Sequence, residues 1–157
     1  MKPLIDWDVL MELSRPPMPP RRETGPGNMW DDNADMYRQM AAMEAEYTER
    51  MLSLLEVSAG DTVLDVGCGP GRITVPMARR AAFVTAIDAS EKMLAHCRAN
   101  AAAAGLTNVN TRLLDWKEAV VGEHLERHDI VIASRSVGLY DLKKLTSFAK
   151  KYVVTSC

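Results

Sequence analysis

The chain has 157 residues, of which 47% are hydrophobic and 25% charged, with a formal net charge of −2. That length holds one domain with its own core, and the composition is that of a soluble globular protein. The near-neutral charge argues against any broad attraction to nucleic acid or to an anionic membrane, and no apolar run approaches the ~18 residues of a membrane span.

Three cysteines, Cys68, Cys97 and Cys157, are too few and too scattered for a disulfide framework and lack metal-site spacing. Reduced thiols in a cytoplasmic setting are the expectation, with no metal. At the N-terminus, Asp6, Asp8 and Glu12 interrupt the stretch where a signal peptide needs an apolar run.

In chain order, residues 4–13 pattern as a short amphipathic helix with Ile5, Val9 and Leu13 on one face. Residues 14–29 hold five prolines and two glycines and read as a linker or surface loop. From about Asp32 a long helix is expected, because Met36, Met40, Met43, Tyr47, Met51 and Leu54 recur at helical spacing. Core packing is the expected use of that stripe, with a methionine-lined substrate pocket as the alternative. Residues 1–29 therefore form an N-terminal helix and Pro-rich linker, and 30–157 the main domain.

After Gly60 the pattern alternates between strands and helices. Strands are expected at 62–67, 82–88, 109–114, 129–134 and 151–156, and helices at 71–80, 90–104, 116–126 and 139–150. The helix at 90–104 has an N-cap in Ser90 and a terminating glycine in Gly105. Pro76 falls inside the first of these helices, so that helix should kink or start late. Short connections between alternating elements predict an α/β fold with a parallel sheet and right-handed crossovers.

The segment VLDVGCGPGRIT (63–74) carries the strongest functional signal. An apolar strand holding one acid, Asp65, runs into Gly67, Gly69 and Gly71, a turn that lets backbone approach a ligand at a strand end. The dinucleotide fingerprint G-x-G-x-x-G is not met, because its third glycine is replaced by Arg72, and the phosphate-loop pattern is absent. A nicotinamide-dependent oxidoreductase is therefore disfavoured.

The stretch VLDVGCGPG (63–71) resembles the first motif of class I S-adenosylmethionine-dependent methyltransferases, and the resemblance continues through AIDAS (86–90), LLDW (113–116), HDIVIASRS (128–136) and MWDDNADMY (29–37). It implies a Rossmann-like, doubly wound, mainly parallel sheet with about five strands present and an N-terminal helical extension. It implies S-adenosyl-L-methionine as cofactor and S-adenosyl-L-homocysteine as product.

The implied roles follow the motifs. Asp65 orders the loop near the methionine amino group, Asp88 holds the ribose hydroxyls, and Asp115 accepts from the adenine amino group with Trp116 beside the ring. The full implied cofactor set is Asp65, Gly67, Cys68, Gly69, Gly71, Asp88, Ala89, Met93, Asp115, Trp116 and Ser134. Trp30, Tyr37 and Arg135 are the implied lid over cofactor or substrate, with Arg135 suited to an anionic group.

Simpler roles compete at several positions. Asp65 could only bond the turn, Asp88 could precede a helix cap, Asp115 could be an N-cap, and Trp30 and Tyr37 could be core aromatics. His96, flanked by Ala95 and Cys97, reads as a packed or exposed histidine rather than a base. No catalytic base stands out.

The segment ASRSVG (133–138) lacks both the Asn/Asp-Pro-Pro-Tyr/Phe signature of nucleic-acid amino methyltransferases and the Pro-Cys pair of cytosine C5 enzymes. A DNA substrate is therefore not expected; a small molecule is, with RNA or protein left open. The Arg15, Arg21 and Arg22 group fits a polar linker as well as an RNA contact.

The family's sheet has seven strands and five are expected here, so the domain reads as C-terminally incomplete. A bare fifth strand invites pairing, and a homodimer through 151–156 is expected. The alternative to an enzyme is a non-catalytic cofactor-binding or partner subunit that another chain completes.

Overall fold

The structure is a computed structural model and describes residues 33–36 and 43–156. The expected helix at 4–13, the linker at 14–29, and the residues Trp30, Tyr37 and Met40 lie outside the described residues.

Five strands form one parallel sheet: β1 (Thr62–Val66), β2 (Phe83–Asp88), β3 (Val109–Leu113), β4 (His128–Ser134) and β5 (Ala149–Ser156), in the order β3-β2-β1-β4-β5. The order reverses direction at β1, so the ends of β1, β2 and β4 open a crevice at their carboxyl side. The helices are α1 (Ala45–Leu52), α2 (Thr74–Ala78), α3 (Glu91–Ala103) and α4 (Leu142–Phe148).

Strand alternation divides the core between the two faces of the sheet. Leu64, Val66, Ile87, Val131 and Ala133 pack with Trp116, Leu125, Leu145 and Phe148. Val63, Val84, Ile130 and Ile132 pack with Leu52, Ile73, Met77 and Ala78. The middle strands are buried on both faces, as parallel sheets require, while the outer strands β3 and β5 are only partly covered.

Helix α3 has both its expected signals. The Ser90 hydroxyl accepts from Met93 N–H at 3.1 Å, and Gly105 takes φ +71° while Leu106 N–H reaches back to the Ala101 carbonyl at 3.0 Å. That back-bonding satisfies carbonyls the helix end would otherwise leave open. Helix α2 starts late, at Thr74, which places Pro76 in its first turn where no N–H is missed.

Three expectations fail. The helix expected at 116–126 is a 3-10 turn, Trp116–Glu118, followed by a bend in which Val121 bridges Leu125 and Gly122 takes φ +80°. Its β-branched pair Val120-Val121 and a glycine in the left-handed region do not continue a helix. The helix expected at 139–150 splits into a 3-10 turn, Val137–Tyr140, and the shorter α4, because Asp141 caps a new start through Lys144 N–H at 3.1 Å. Residues 149 and 150 join β5 instead.

The methionine stripe is the third. Met36, Met43, Tyr47 and Leu54 are 50%, 87%, 58% and 84% exposed, and only Met51 of the described stripe packs against the core. The face that α1 turns inward carries Thr48 and Leu52, because arginines on the body recruit its polar groups.

Candidate functional site

The glycine loop leaves β1 and folds back onto the end of β2. Gly67 and Cys68 N–H both donate to the Ile87 carbonyl, at 2.9 and 3.0 Å. Asp88 receives Gly69 N–H on one carboxylate oxygen and Ser90 N–H on the other, each at 2.9 Å. One side chain thus fixes the loop, the end of β2 and the start of α3. It precedes the cap, as its simpler reading expects, and it also bonds the turn; it is half-buried.

The backbone here requires glycine. Gly67 has φ +70°, and a Cβ on it would sit 2.5 Å from the Ser136 Cβ. Gly71 has φ +93°, and its Cβ would meet the Cys97 Sγ at 3.0 Å. The first glycine admits the loop after β4 and the last admits α3.

Asp65 lies beneath this turn, 2% exposed, and accepts from the Thr74 hydroxyl at 2.6 Å. Burial pushes its carboxyl up to about 6, against the pull of Thr74 and Arg72. A cation arriving beside it would restore its charge. The Cys68 thiol donates to the Gly69 carbonyl at 3.5 Å, and the neighbouring Cys97 thiol together with burial pushes it well above the ordinary range. It is a packed thiol, not a nucleophile.

Asp115 caps the 3-10 turn, its Oδ1 accepting from Lys117 N–H at 3.0 Å, and stays half-buried at the end of β3. Trp116 turns into the core, 5% exposed, with Phe148 at 5.3 Å and Lys144 Nζ 4.5 Å above its ring. Met93 is buried in the first turn of α3, with Sδ 3.9 Å from where a Gly69 Cβ would be, and Ala89 is half-buried beside Asp88.

Along the carboxyl edge the order is Asp115 (after β3), Asp88 (β2), Gly69 and Gly67 (after β1), then Ser134 (β4) and Arg135 (after β4). Ser134 hydrogen-bonds the Ser156 hydroxyl at 2.6 Å and receives Arg72 Nη2. Arg135 takes φ +49°, the sole non-glycine residue in the left-handed region among the described residues. Its guanidinium donates to both Glu44 oxygens, at 2.7 and 2.6 Å. That bond holds the Glu44 carboxyl below the usual range.

Three residues were not anticipated. Arg72 links α1 to β4 through the Thr48 hydroxyl at 2.9 Å and through Ser134. Its presence in place of a third glycine was visible, but its partners lie 24 and 62 residues away. Thr74 is the Asp65 partner, and a hydroxyl at a helix start is a weak signal. Ser136 lies against Gly67, and nothing in its neighbours announces that. His96 faces Asp35 across 2.9 Å and so ties α3 to the helical residues 33–36. Among the described residues no group of three or more His, Cys, Asp or Glu could hold a metal, and no helix is long and apolar enough to cross a membrane.

Residues 63–153 match the family described as a methyltransferase domain. An uncharacterized protein of Haemophilus influenzae is 33% identical over 129 residues, covering 79% of this chain and 47% of that protein. The 23S rRNA (uracil(1939)-C(5))-methyltransferase RlmD of Hahella chejuensis is 35% identical over 134 residues, covering 80% of this chain and 28% of that one. The chain thus spans less than half the length of these curated relatives.

Among solved structures, the precorrin 8W decarboxylase of Methanobacterium thermoautotrophicum superposes with a TM-score of 0.62 at 27% identity, over 70% of this chain and 61% of that one. A Thiobacillus denitrificans SAM-dependent methyltransferase in complex with S-adenosyl-L-homocysteine gives 0.62 at 21% identity, over 70% and 47%, a likeness of fold. With the family match running from the glycine loop into β5 and the sheet folded as in these structures, the chain belongs to the class I S-adenosylmethionine-dependent methyltransferases.

Proposed function

We propose that the chain binds S-adenosyl-L-methionine along the carboxyl edge of β1–β4 and serves methyl transfer to a small molecule. The observation that carries this is the Asp88 clamp: one half-buried carboxylate ties Gly69 and Ser90 together beside three left-handed glycines, whose lack of a Cβ lets the backbone approach a ligand. In this reading Asp88 faces the two ribose hydroxyls and Asp115 the adenine amino group, both carboxylates being acceptors. Asp65 offers a buried carboxylate to a cationic group.

The cofactor, when bound, supplies a methyl group already activated on a sulfonium. What the chain's own residues contribute is alignment and exclusion of water. Trp116 and the core beneath it serve as a dry floor, Gly67 and Gly69 give close backbone approach, and Arg135 would meet an anionic acceptor by exchanging its Glu44 pair. A general base is needed only for an acceptor that keeps its proton at neutral pH. Trp30 and Tyr37 complete this reading as a lid. The two buried free thiols suit a reducing, cytoplasmic setting.

Two other readings have support of their own. Similarity to rRNA uracil methyltransferases favours an RNA acceptor. The outer position of β5, with one edge unpaired among the described residues, favours a cofactor-binding subunit completed by another chain or by a second copy through 151–156.

Calorimetric titration of the full chain with S-adenosylmethionine, S-adenosylhomocysteine and NAD tests the core of the proposal. Binding of the first two and not NAD is the expected result, and binding of NAD alone would overturn it. Incubation with labelled cofactor and either a metabolite pool or total rRNA then separates the acceptors. Cofactor binding with transfer to neither supports the subunit reading.

A further inference from the structure

Ser136 holds a hydroxyl that the fold does not use. It stands at the N-cap of the 3-10 turn Val137–Tyr140, where a serine side chain ordinarily accepts a backbone N–H, and it makes no such bond. Its Oγ is buried and has no protein hydrogen-bond partner among the described residues. Native proteins leave few such groups, and each calls for an explanation.

The surroundings supply one. Ser136 Oγ lies 3.1 Å from the point where a Gly67 Cβ would stand, so it reaches the glycine turn through the space that glycine vacates. The residue before it, Arg135, takes the left-handed conformation at φ +49°, and strain of that kind gathers at ligand sites. Beneath the same turn is the buried carboxyl of Asp65.

Position along the edge then selects the ligand group. This step rests on the cofactor reading above, which sets the adenosine against Asp115 and Asp88. Strand order carries the rest of that ligand past Gly69 to Gly67 and the end of β4. That is the amino-acid end, with one ammonium and one carboxylate. Asp65, an acceptor when ionised, takes the ammonium, and the carboxylate is left needing a donor.

We propose that Ser136 is a cofactor-positioning residue whose Oγ–H donates to the α-carboxylate of S-adenosylmethionine. Ser136 thereby fixes the amino-acid end against β4, and the sulfonium is held in one orientation toward the acceptor. The bond is charge-assisted and comparable to those worth one to two decades in affinity.

The test pairs Ser136→Ala with removal of the carboxylate from the ligand. Wild type and S136A are titrated with S-adenosylmethionine and with decarboxylated S-adenosylmethionine, and each is melted without ligand. S136A is expected to bind S-adenosylmethionine about 10- to 100-fold more weakly, to bind the decarboxylated ligand as wild type does, and to melt no lower than wild type. Equal weakening toward both ligands, or a lowered melting temperature, would make Ser136 a structural or ammonium-binding residue and overturn the proposal. An S136A chain that binds S-adenosylmethionine normally overturns it alone. A wild-type chain that binds neither ligand overturns the cofactor reading as well.

Discussion

The two ends of the crevice are built on different physics. On the side of β1, β2 and α3, the glycine loop is held by backbone hydrogen bonds, one carboxylate and a shell of fully buried apolar groups, Ala86, Leu94 and Cys97 among them. On the side of β4 and α1, the contacts are side-chain polar ties: Arg135 to Glu44, Arg72 to Thr48 and Ser134, and Arg80 to Glu49 at 2.6 Å. Helix α1 turns Thr48 and Leu52 to the body, with Met51 packed beside them, and leaves Tyr47 outward. Packed backbone tolerates little change, whereas ion pairs open to solvent can be exchanged at small cost. The rigid end suits an invariant cofactor, and the exchangeable end suits an acceptor that must enter and leave.

Gly67 is where the two ends meet, and changing it should do most damage. Gly67→Ala combines a left-handed φ with a Cβ 2.5 Å from Ser136, and the two together should cost about 2–5 kcal/mol. Gly105→Ala is the control, with φ +71° but nothing within 4 Å, and should cost only about 1–2 kcal/mol. Urea midpoints of both variants measure the difference. Equal losses would mean that the Ser136 contact carries no weight.

Asp65 gives the next largest effect, with a sign set by pH. Burial lifts its carboxyl from 3.8 to about 6, so between those values the folded chain binds the proton and the unfolded chain does not. The ligand-free fold is therefore most favoured by this group below about pH 4 and loses that contribution as pH rises through about 6. The ceiling on the loss is ~3 kcal/mol, at 1.36 kcal/mol per tenfold. Asp65→Asn should raise ligand-free stability at pH 7.5, flatten its pH dependence between 4 and 7, and weaken binding of S-adenosylhomocysteine. Melting curves across that range check it, and an unchanged pH profile would refute the assignment.

These two positions also show which parts of the molecule were readable from residues alone. The loop from Asp65 to Gly71, the acid at Asp88 and helix α3 were legible because their determinants are local: a glycine run, a cap at Ser90, a stop at Gly105. Strand–helix alternation predicts a helix at 116–126, but Val120, Val121 and Gly122 carry backbone preferences that oppose one. The methionine stripe was misjudged for a different reason. Periodicity shows that one face of α1 is apolar, but not that Arg72, Arg80 and Arg135 wait on the body to turn the other face inward. Ser136 was illegible altogether, because a hydroxyl left without a partner is a property of the assembled fold.

Arg72 tests whether the polar end is separable from the packed one. Arg72→Met keeps the stem and removes the bonds to Thr48 and Ser134. With the guanidinium only about half-buried, the loss should be about 1–2 kcal/mol. It should be confined to α1, whose backbone amides should exchange faster while those of β1 and β2 stay protected. Uniform acceleration would mean that α1 and the sheet unfold as one unit.

Arg135 should give the smallest change and the most informative sign. Its Glu44 pair has side chains 42% and 29% exposed, and exposed pairs are worth about 0–1 kcal/mol. Its left-handed backbone costs about 1–2 kcal/mol for any residue with a Cβ. Arg135→Ala loses the pair and keeps the strain, so it should be slightly destabilising. Arg135→Gly loses the same pair and relieves the strain, so it should equal or exceed wild type in urea midpoint. The difference between the two variants reads the strain directly, free of the ion pair they both lack. If alanine and glycine behave alike, the turn after β4 is relaxed, and the route by which Ser136 reaches Gly67 needs no stored energy.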